Sequence, residues 1–192
     1  MDVTAAADRE RFEAFYGELY QPISGYVLRR AANSEDAAEV IAETFATLWR
    51  RLDSCPPDRE VRPWLFGVAR RVLANQRRGE RRRSALAERL TAETDLSDVA
   101  SVVAPGSDSH VARAFATLSD ADREVLALIA WEGLTRDELA IALGVSRAVV
   151  RLRLHRARRR FVTALARDER AAPVATRPRI HLSGEGEEHE CA

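Results

Sequence analysis

Apolar residues along this chain recur at spacings of three and four, and no stretch alternates at a spacing of two for long. Phe12, Phe15, Tyr16, Leu19 and Tyr20 make one helical stripe, and Pro22 is expected to end it, with a second helix starting near Ile23. Ser34, followed by Glu35 and Asp36, predicts an N-cap and an acidic first turn for a long helix reaching about Leu52. Asp53-Ser54-Cys55-Pro56-Pro57-Asp58 is a break, and Pro63 suits the first turn of a fourth helix running towards Arg83. Over 84–112 the periodicity fades into Ala, Ser, Thr and Asp with Pro105-Gly106, the composition of a linker. Ser119 to Asp122 and Thr135 to Glu138 then read as capping boxes for helices over 120–131 and up to Leu143. Gly144-Val145-Ser146 makes a turn, and a long helix follows over 147–167. A short helix, a glycine-containing turn and a basic second helix form a helix-turn-helix.

The predicted fold is therefore all-α: two small helical domains joined by a flexible acidic linker, the second a helix-turn-helix. The domains are expected over 10–83 and 113–168, with 1–9 and 169–192 disordered, the latter for its Pro, Gly and Glu content. Fully extended, the linker would reach about 95–105 Å, against about 30 Å as a free coil.

Charge sharpens this picture. The 192 residues carry 30 basic and 30 acidic side chains, every basic one an Arg. Nine Arg fall over 62–89 against Glu80 and Glu88, and nine more over 147–170 against Asp168 and Glu169, each island +7. Residues 1–58 are −5, and 90–112 carry four acids and no base. Two basic islands on an acidic chain suggest two polyanion contacts and acidic surfaces for a basic partner. The longest apolar run has seven residues, too short to span a bilayer, and the N-terminus lacks the order of a secretory signal. Cys55 and Cys191 are too few for a disulfide framework, which with the missing leader points to the cytoplasm. No phosphate loop, nucleophile elbow or zinc helix is present, so neither a catalytic residue, a metal site nor a cofactor is expected. His189 beside Cys191 reads as tail rather than ligand.

On a helical wheel Val150, Leu154, Ala157, Phe161 and Leu165 share a core stripe. Arg147, Ala148, Arg151, Leu152, His155, Arg156 and Arg159 lie across from it, where a recognition helix meets the major groove. Seven Arg over 147–160 with no acid exceed what solubility needs. In the other island Trp64, Leu65, Val68, Ala69, Val72 and Leu73 form an apolar arc. Arg70, Arg71, Arg77, Arg78 and Arg81 form the basic one, beside Gly67 and Ala74, small residues expected to let a nucleic-acid backbone approach.

These residues together resemble the extracytoplasmic-function class of bacterial RNA polymerase sigma factors, over residues 10–167. Glu39-Val40-Ile41-Ala42-Glu43-Thr44-Phe45 with Leu48-Trp49 resembles that family's polymerase-clamp helix. Arg62-Pro63-Trp64-Leu65-Phe66-Gly67-Val68-Ala69-Arg70 resembles its promoter-melting helix, and Leu118 to Arg158 its C-terminal helix-turn-helix. The sequence departs from the common pattern at Glu39 and Ala42 (often Asp and Gln), at Arg71 (often Asn) and at Leu152, which could meet a thymine methyl.

The resemblance implies an initiation factor without catalysis. Glu39, Glu43 and Trp49 would bind core polymerase at its clamp, and the second domain would also sit on its flap. The Arg70–Arg81 arc would take the melted −10 strand and the Arg147–Arg159 face the −35 duplex. The linker would thread the polymerase's nucleic-acid channels, bridging elements about 60–85 Å apart at about 3.4 Å per base pair. Core polymerase and promoter DNA are the implied partners, an anti-sigma factor a further candidate. The rival readings are a stand-alone helix-turn-helix regulator and a sigma mimic that titrates an anti-sigma factor.

Overall fold

The computed structural model describes residues 3–90 and 110–171, with side chains over 6–83 and 110–170. Seven α-helices make up the described residues: α1 (Val3–Leu28), α2 (Ser34–Arg50), α3 (Asp58–Leu90), α4 (His110–Ala116), α5 (Asp120–Ala130), α6 (Arg136–Leu143) and α7 (Arg147–Ala171). A short 3-10 turn, Leu52–Ser54, lies between α2 and α3. No strand occurs among the described residues. The central linker and the tail, 91–109 and 172–192, lie outside them.

Helices α1, α2 and α3 pack mutually as one unit, and α4, α5 and α6 gather on α7 as a second. The elements start where local chemistry allows, though not always at the expected residue. Asn33, not Ser34, caps α2, its side chain accepting from the Asp36 backbone N–H at 2.8 Å. Ser119 caps α5 through the Asp122 N–H. Thr135 and Glu138 form a complete reciprocal capping box on α6. Gly144 then turns the chain with φ +63, in the left-handed region glycine tolerates best.

Four expectations need correcting. Pro22 does not divide α1, which runs unbroken from Val3 through residues expected to be disordered. A proline inside a helix costs about 3 kcal/mol. Beyond it Ile23, Tyr26 and Val27 are fully buried, each contributing about 1.5–3 kcal/mol, so tertiary burial outweighs the lost bond. Pro63 lies in the second turn of α3, because the helix already opens at Asp58, and buried Val61 and Leu65 offset it in the same way. At its far end α3 continues to Leu90, through the start of the expected linker. Helix α4 begins at His110 and α7 ends at Ala171, each a few residues beyond the expected bounds.

The wheel of α7 holds: Val150, Leu154 and Ala157 are buried, with Phe161 and Leu165 half-buried behind them. What the pattern did not anticipate is that the two units share a core. One hydrophobic cluster takes in Tyr26, Leu65 and Phe66 from the first unit and Leu128, Leu139 and Leu143 from the second. Helix α3 lies directly against α6.

Candidate nucleic-acid and partner interfaces

Helix α7 presents its whole predicted reading face. Arg147, Ala148, Arg151, Leu152, His155, Arg156 and Arg159 are all exposed, because the stripe from Val150 to Ala157 anchors the opposite side on α5 and α6. Among the described residues Arg147 alone in this group is paired, its Nε 2.9 Å from the Asp137 carboxylate across the turn. This is a rigid rod of guanidiniums standing on a capped short helix, the geometry that fits a basic helix to a major groove. Between α4 and α7 lies an open groove of about 920 Å³, where Arg156, Arg159, Arg160 and Arg167 border Ala114 and Leu118.

Helix α3 divides its arc. Arg71, Arg78 and Arg81 are exposed, whereas Arg70 and Arg77 are half-buried and turned towards the second unit. Arg77 donates to the Arg30 carbonyl at 2.7 Å. Arg70 and Arg77 line a cleft of about 520 Å³ together with Arg153, Arg156 and Arg160 of α7 and with Asp120, Asp122 and Glu124. The expected role of Gly67 is not what the fold shows. A Cβ there would lie 2.7 Å from the Ala142 carbonyl oxygen, so the backbone that approaches Gly67 is that of α6, not nucleic acid.

On α2, Glu39 and Glu43 are one turn apart and exposed. Glu43 accepts from Arg50 at 2.6 Å, while Glu39 has no partner among the described residues. Trp49, 48% exposed, meets Phe12 edge-on at 5.2 Å and ends an aromatic ridge with Tyr16, Tyr20 and Phe45. Tyr16 and Tyr20 sit on its exposed side, although their spacing reads as core. An acid beside an aromatic ridge suits a basic, partly apolar partner surface.

Sequence reasoning missed the polar seam between the units. Tyr26 Oη donates to Glu124 at 2.6 Å, and Arg30 Nε donates to the other oxygen of that carboxylate at 3.0 Å. Arg29 and Arg30 both donate to Glu132, at 2.8 and 3.4 Å, and the Arg30 and Glu132 side chains are each only 3% exposed. Arg62 reaches Glu138 at 3.4 Å and also donates to the Glu132 carbonyl. Burial, reinforced by the Glu124 charge, pushes the Tyr26 phenol well above its usual value, so it stays a donor. Burial also works to raise the Glu138 carboxyl, but the Thr135 hydrogen bonds and the Arg62 charge prevail and hold it below the ordinary glutamate value. These partners are about 70–100 residues apart in sequence, and a single sequence carries no signal that joins them.

Among the described residues no cluster of His, Cys, Asp or Glu could hold a metal, and no helix is long and apolar enough to cross a membrane. His189 and Cys191 lie outside them.

Comparison with known proteins places both units. Residues 15–83 match the family described as sigma-70 region 2, and 110–161 the one described as sigma-70, region 4. The RNA polymerase sigma factor CnrH of Cupriavidus metallidurans is 33% identical over 160 residues, 75% of this chain and 83% of that protein. The ECF RNA polymerase sigma factor SigL of Mycobacterium tuberculosis is 29% identical, over 79% of this chain and 86% of its own. Among solved structures, CnrH in complex with the cytosolic domain of CnrY superposes with a TM-score of 0.59 at 26% identity, covering 85% of this chain and 95% of that one.

Proposed function

The chain belongs to the extracytoplasmic-function class of bacterial RNA polymerase sigma factors, and from that membership we propose how its surfaces share the work of initiation. It binds core RNA polymerase and directs promoter-specific transcription. The first domain takes in α1 to α3 and the second α4 to α7, with 91–109 as the tether between them. Helix α2 docks on the polymerase clamp through Glu39 and Trp49, with Glu43 held in reserve by Arg50. Arg70, Arg71, Arg77, Arg78 and Arg81 of α3 track the melted −10 strand, since a single strand needs a basic path beside surfaces for its bases. Arg147, Ala148, Arg151, Leu152, His155, Arg156 and Arg159 of α7 meet the −35 duplex.

The factor contributes no catalytic group of its own and works in the cytoplasm, where its polymerase is. An anti-sigma factor is its natural antagonist. The similarity to CnrH, solved with the cytosolic domain of CnrY, supports that reading.

The observation that carries the proposal is the fully exposed arc of α7 over a capped helix and a left-handed glycine turn. Transcription from a promoter library by core polymerase, with and without the protein, tests it. Promoter-specific transcripts should need both components. The double variant Glu39→Arg with Glu43→Arg should abolish co-purification with core while leaving helicity unchanged. A protein that binds duplex DNA specifically but never changes the output of core polymerase would be a stand-alone regulator instead.

A further inference from the structure

We propose that the cleft between α1, α3, α5 and α7 binds a small diphosphate, either inorganic pyrophosphate or the diphosphate end of a nucleotide. The site goes beyond the promoter roles given above and needs none of them.

The cleft measures about 520 Å³, within the about 300–1,000 Å³ usual for small-molecule sites. Six guanidiniums line it: Arg30 from just after α1, Arg70 and Arg77 from α3, and Arg153, Arg156 and Arg160 from α7. Three carboxylates line it too, and each is already engaged. Glu124 accepts from Tyr26 and Arg30, and Asp122 from Ser119 and Arg160. Asp120 pairs with Arg123, which lies outside the cleft wall. Arg77 donates to a neutral acceptor, the Arg30 carbonyl, at 2.7 Å. Arg70, Arg153 and Arg156 reach no carboxylate among the described residues. The cleft therefore keeps positive charge that its own acids do not meet.

Two donors on the same wall lack an acceptor. Arg30 is 3% exposed, and its Nη2 is buried with no hydrogen-bond partner among the described residues. Arg70 Nε is buried and unpartnered in the same way. Neither donor is loose: the Tyr26 ring centre lies 3.8 Å from the Arg30 guanidinium, and Glu124 and the Tyr26 carbonyl hold its other nitrogens. Buried donors left unpaired cost stability, and an anion that accepts from them recovers it.

Surplus charge alone would suit any polyanion, and depth narrows the choice. A nucleic-acid backbone cannot offer a phosphate to Arg30 without drawing its sugars and bases in behind it. A free diphosphate can. Guanidinium forks match phosphate oxygens bidentately, and donors arriving from three helices suit a ligand with more oxygens than one carboxylate carries. Leu73, Ala74, Val125 and Leu143 complete the wall and give an apolar side against which a nucleoside would rest.

Isothermal titration calorimetry of the full chain, in metal-free buffer at physiological salt, tests the site with pyrophosphate, ADP, GDP and orthophosphate. Pyrophosphate should bind one per chain, more tightly than orthophosphate, and should raise the melting temperature once its concentration exceeds Kd. Arg153→Ala trims an exposed lining residue, and Arg70→Met removes an unpaired buried donor, so neither change endangers the fold. Each should weaken pyrophosphate about tenfold or more, the effect of losing one charge-assisted bond. Arg158→Ala removes the same charge from an exposed position of α7 that does not line the cleft. It should stay within about twofold, since salt screens charges at that remove. Circular dichroism checks the fold of all three.

Equal affinity for pyrophosphate and both nucleotides would make the diphosphate group itself the ligand. Tighter binding of a nucleotide would add the apolar side as a nucleoside subsite. Binding at several sites per chain, or equal losses in Arg153→Ala and Arg158→Ala, would mean general attraction to an arginine-rich surface and overturn the proposal. So would the absence of both heat and any rise in melting temperature.

Discussion

Over 62–89 and again over 147–170 the chain carries nine Arg against two acids, so by charge alone α3 and α7 are one helix written twice. Their surroundings make them different. Helix α7 packs along a narrow stripe and leaves its basic face open from Arg147 to Arg159. Helix α3 is gripped on two sides, by α1 and α2 on its apolar arc and by α6 at Gly67, so two of its five arc arginines point inward. The lesson is that a count of charges predicts which ligand a helix prefers, while packing decides when that ligand can reach it.

The largest effects should separate the halves of the α3 arc. In holoenzyme, Arg71→Ala combined with Arg77→Ala should lower open-complex formation by more than about a hundredfold, since each charge-assisted bond contributes about 1.5–3 kcal/mol. Closed-complex binding should change far less. Permanganate reactivity of thymines in the bubble measures the first, and duplex gel shift the second. In the free chain the pair should come apart: Arg71→Ala weakens single-strand binding and Arg77→Ala barely alters it. Equal losses in the free chain would mean that α3 is as accessible as α7 and the contrast between them false.

Within α7 the contrast is between reading and holding. Arg151 stands on the second turn, within reach of base edges, and a bidentate contact to guanine discriminates by about 1–3 kcal/mol. Arg159 is two turns further, where a recognition helix leaves the groove. Arg151→Ala should relax preference at one or two base pairs of the upstream element. Arg159→Ala should weaken all sequences alike and reduce the salt slope by about one. Leu152→Ser should lessen any preference for thymine beside that guanine. Transcription from a saturated library of upstream elements distinguishes these outcomes. A uniform loss on Arg151→Ala would make it a phosphate contact.

A smaller effect should follow from the platform beneath α7. Thr135→Ala removes one side of the α6 capping box and should cost about 1 kcal/mol in urea melts. Strand capture by α3 in holoenzyme should be unaffected, since the cap lies in the other unit.

How much of this was readable in advance follows the same division. The second unit announced itself through local signals: the caps at Ser119 and Thr135, the turn at Gly144, and the stripe from Val150 to Ala157 all sit within a few residues of what they control. The first unit obeyed longer-range terms. Pro22 and Pro63 read as boundaries because a proline removes a hydrogen bond locally, and burial of Ile23, Tyr26 and Leu65 overrode both. Gly67 read as an opening for nucleic acid because sequence shows that room exists without showing what fills it. The seam was invisible for the same reason: Arg30 is basic and Glu132 acidic in any sequence, and only the packing of α1 against the α5–α6 connection makes them partners.

The smallest expected effect tests whether that seam and the α6 platform are coupled. Glu138 accepts from the Thr135 backbone at 2.8 Å and faces Arg62 of α3, so one carboxylate serves the cap and the seam together. Its pKa is lowered in the folded chain, which means the folded form binds the carboxylate state preferentially. The stabilisation is therefore complete above the usual glutamate value and is lost as pH falls from there through the lowered one. Glu138→Gln keeps an acceptor for the Thr135 N–H but removes the charge that attracts Arg62. At neutral pH this variant should be less stable than wild type by about 0.5–1 kcal/mol, the size expected of a partly exposed pair. The difference should vanish on acidification across that window. Tyr26, whose phenol is raised by burial, leaves this acid window untouched and acts at the alkaline end alone. Paired melts followed by scattering as well as by circular dichroism decide the coupling. If acid loosens wild type across that window and leaves the Gln variant unchanged, cap and seam share this one group. If the two proteins differ by the same amount at both ends of the window, the charge of Glu138 contributes nothing, and α6 meets α3 through Gly67 and its apolar neighbours alone.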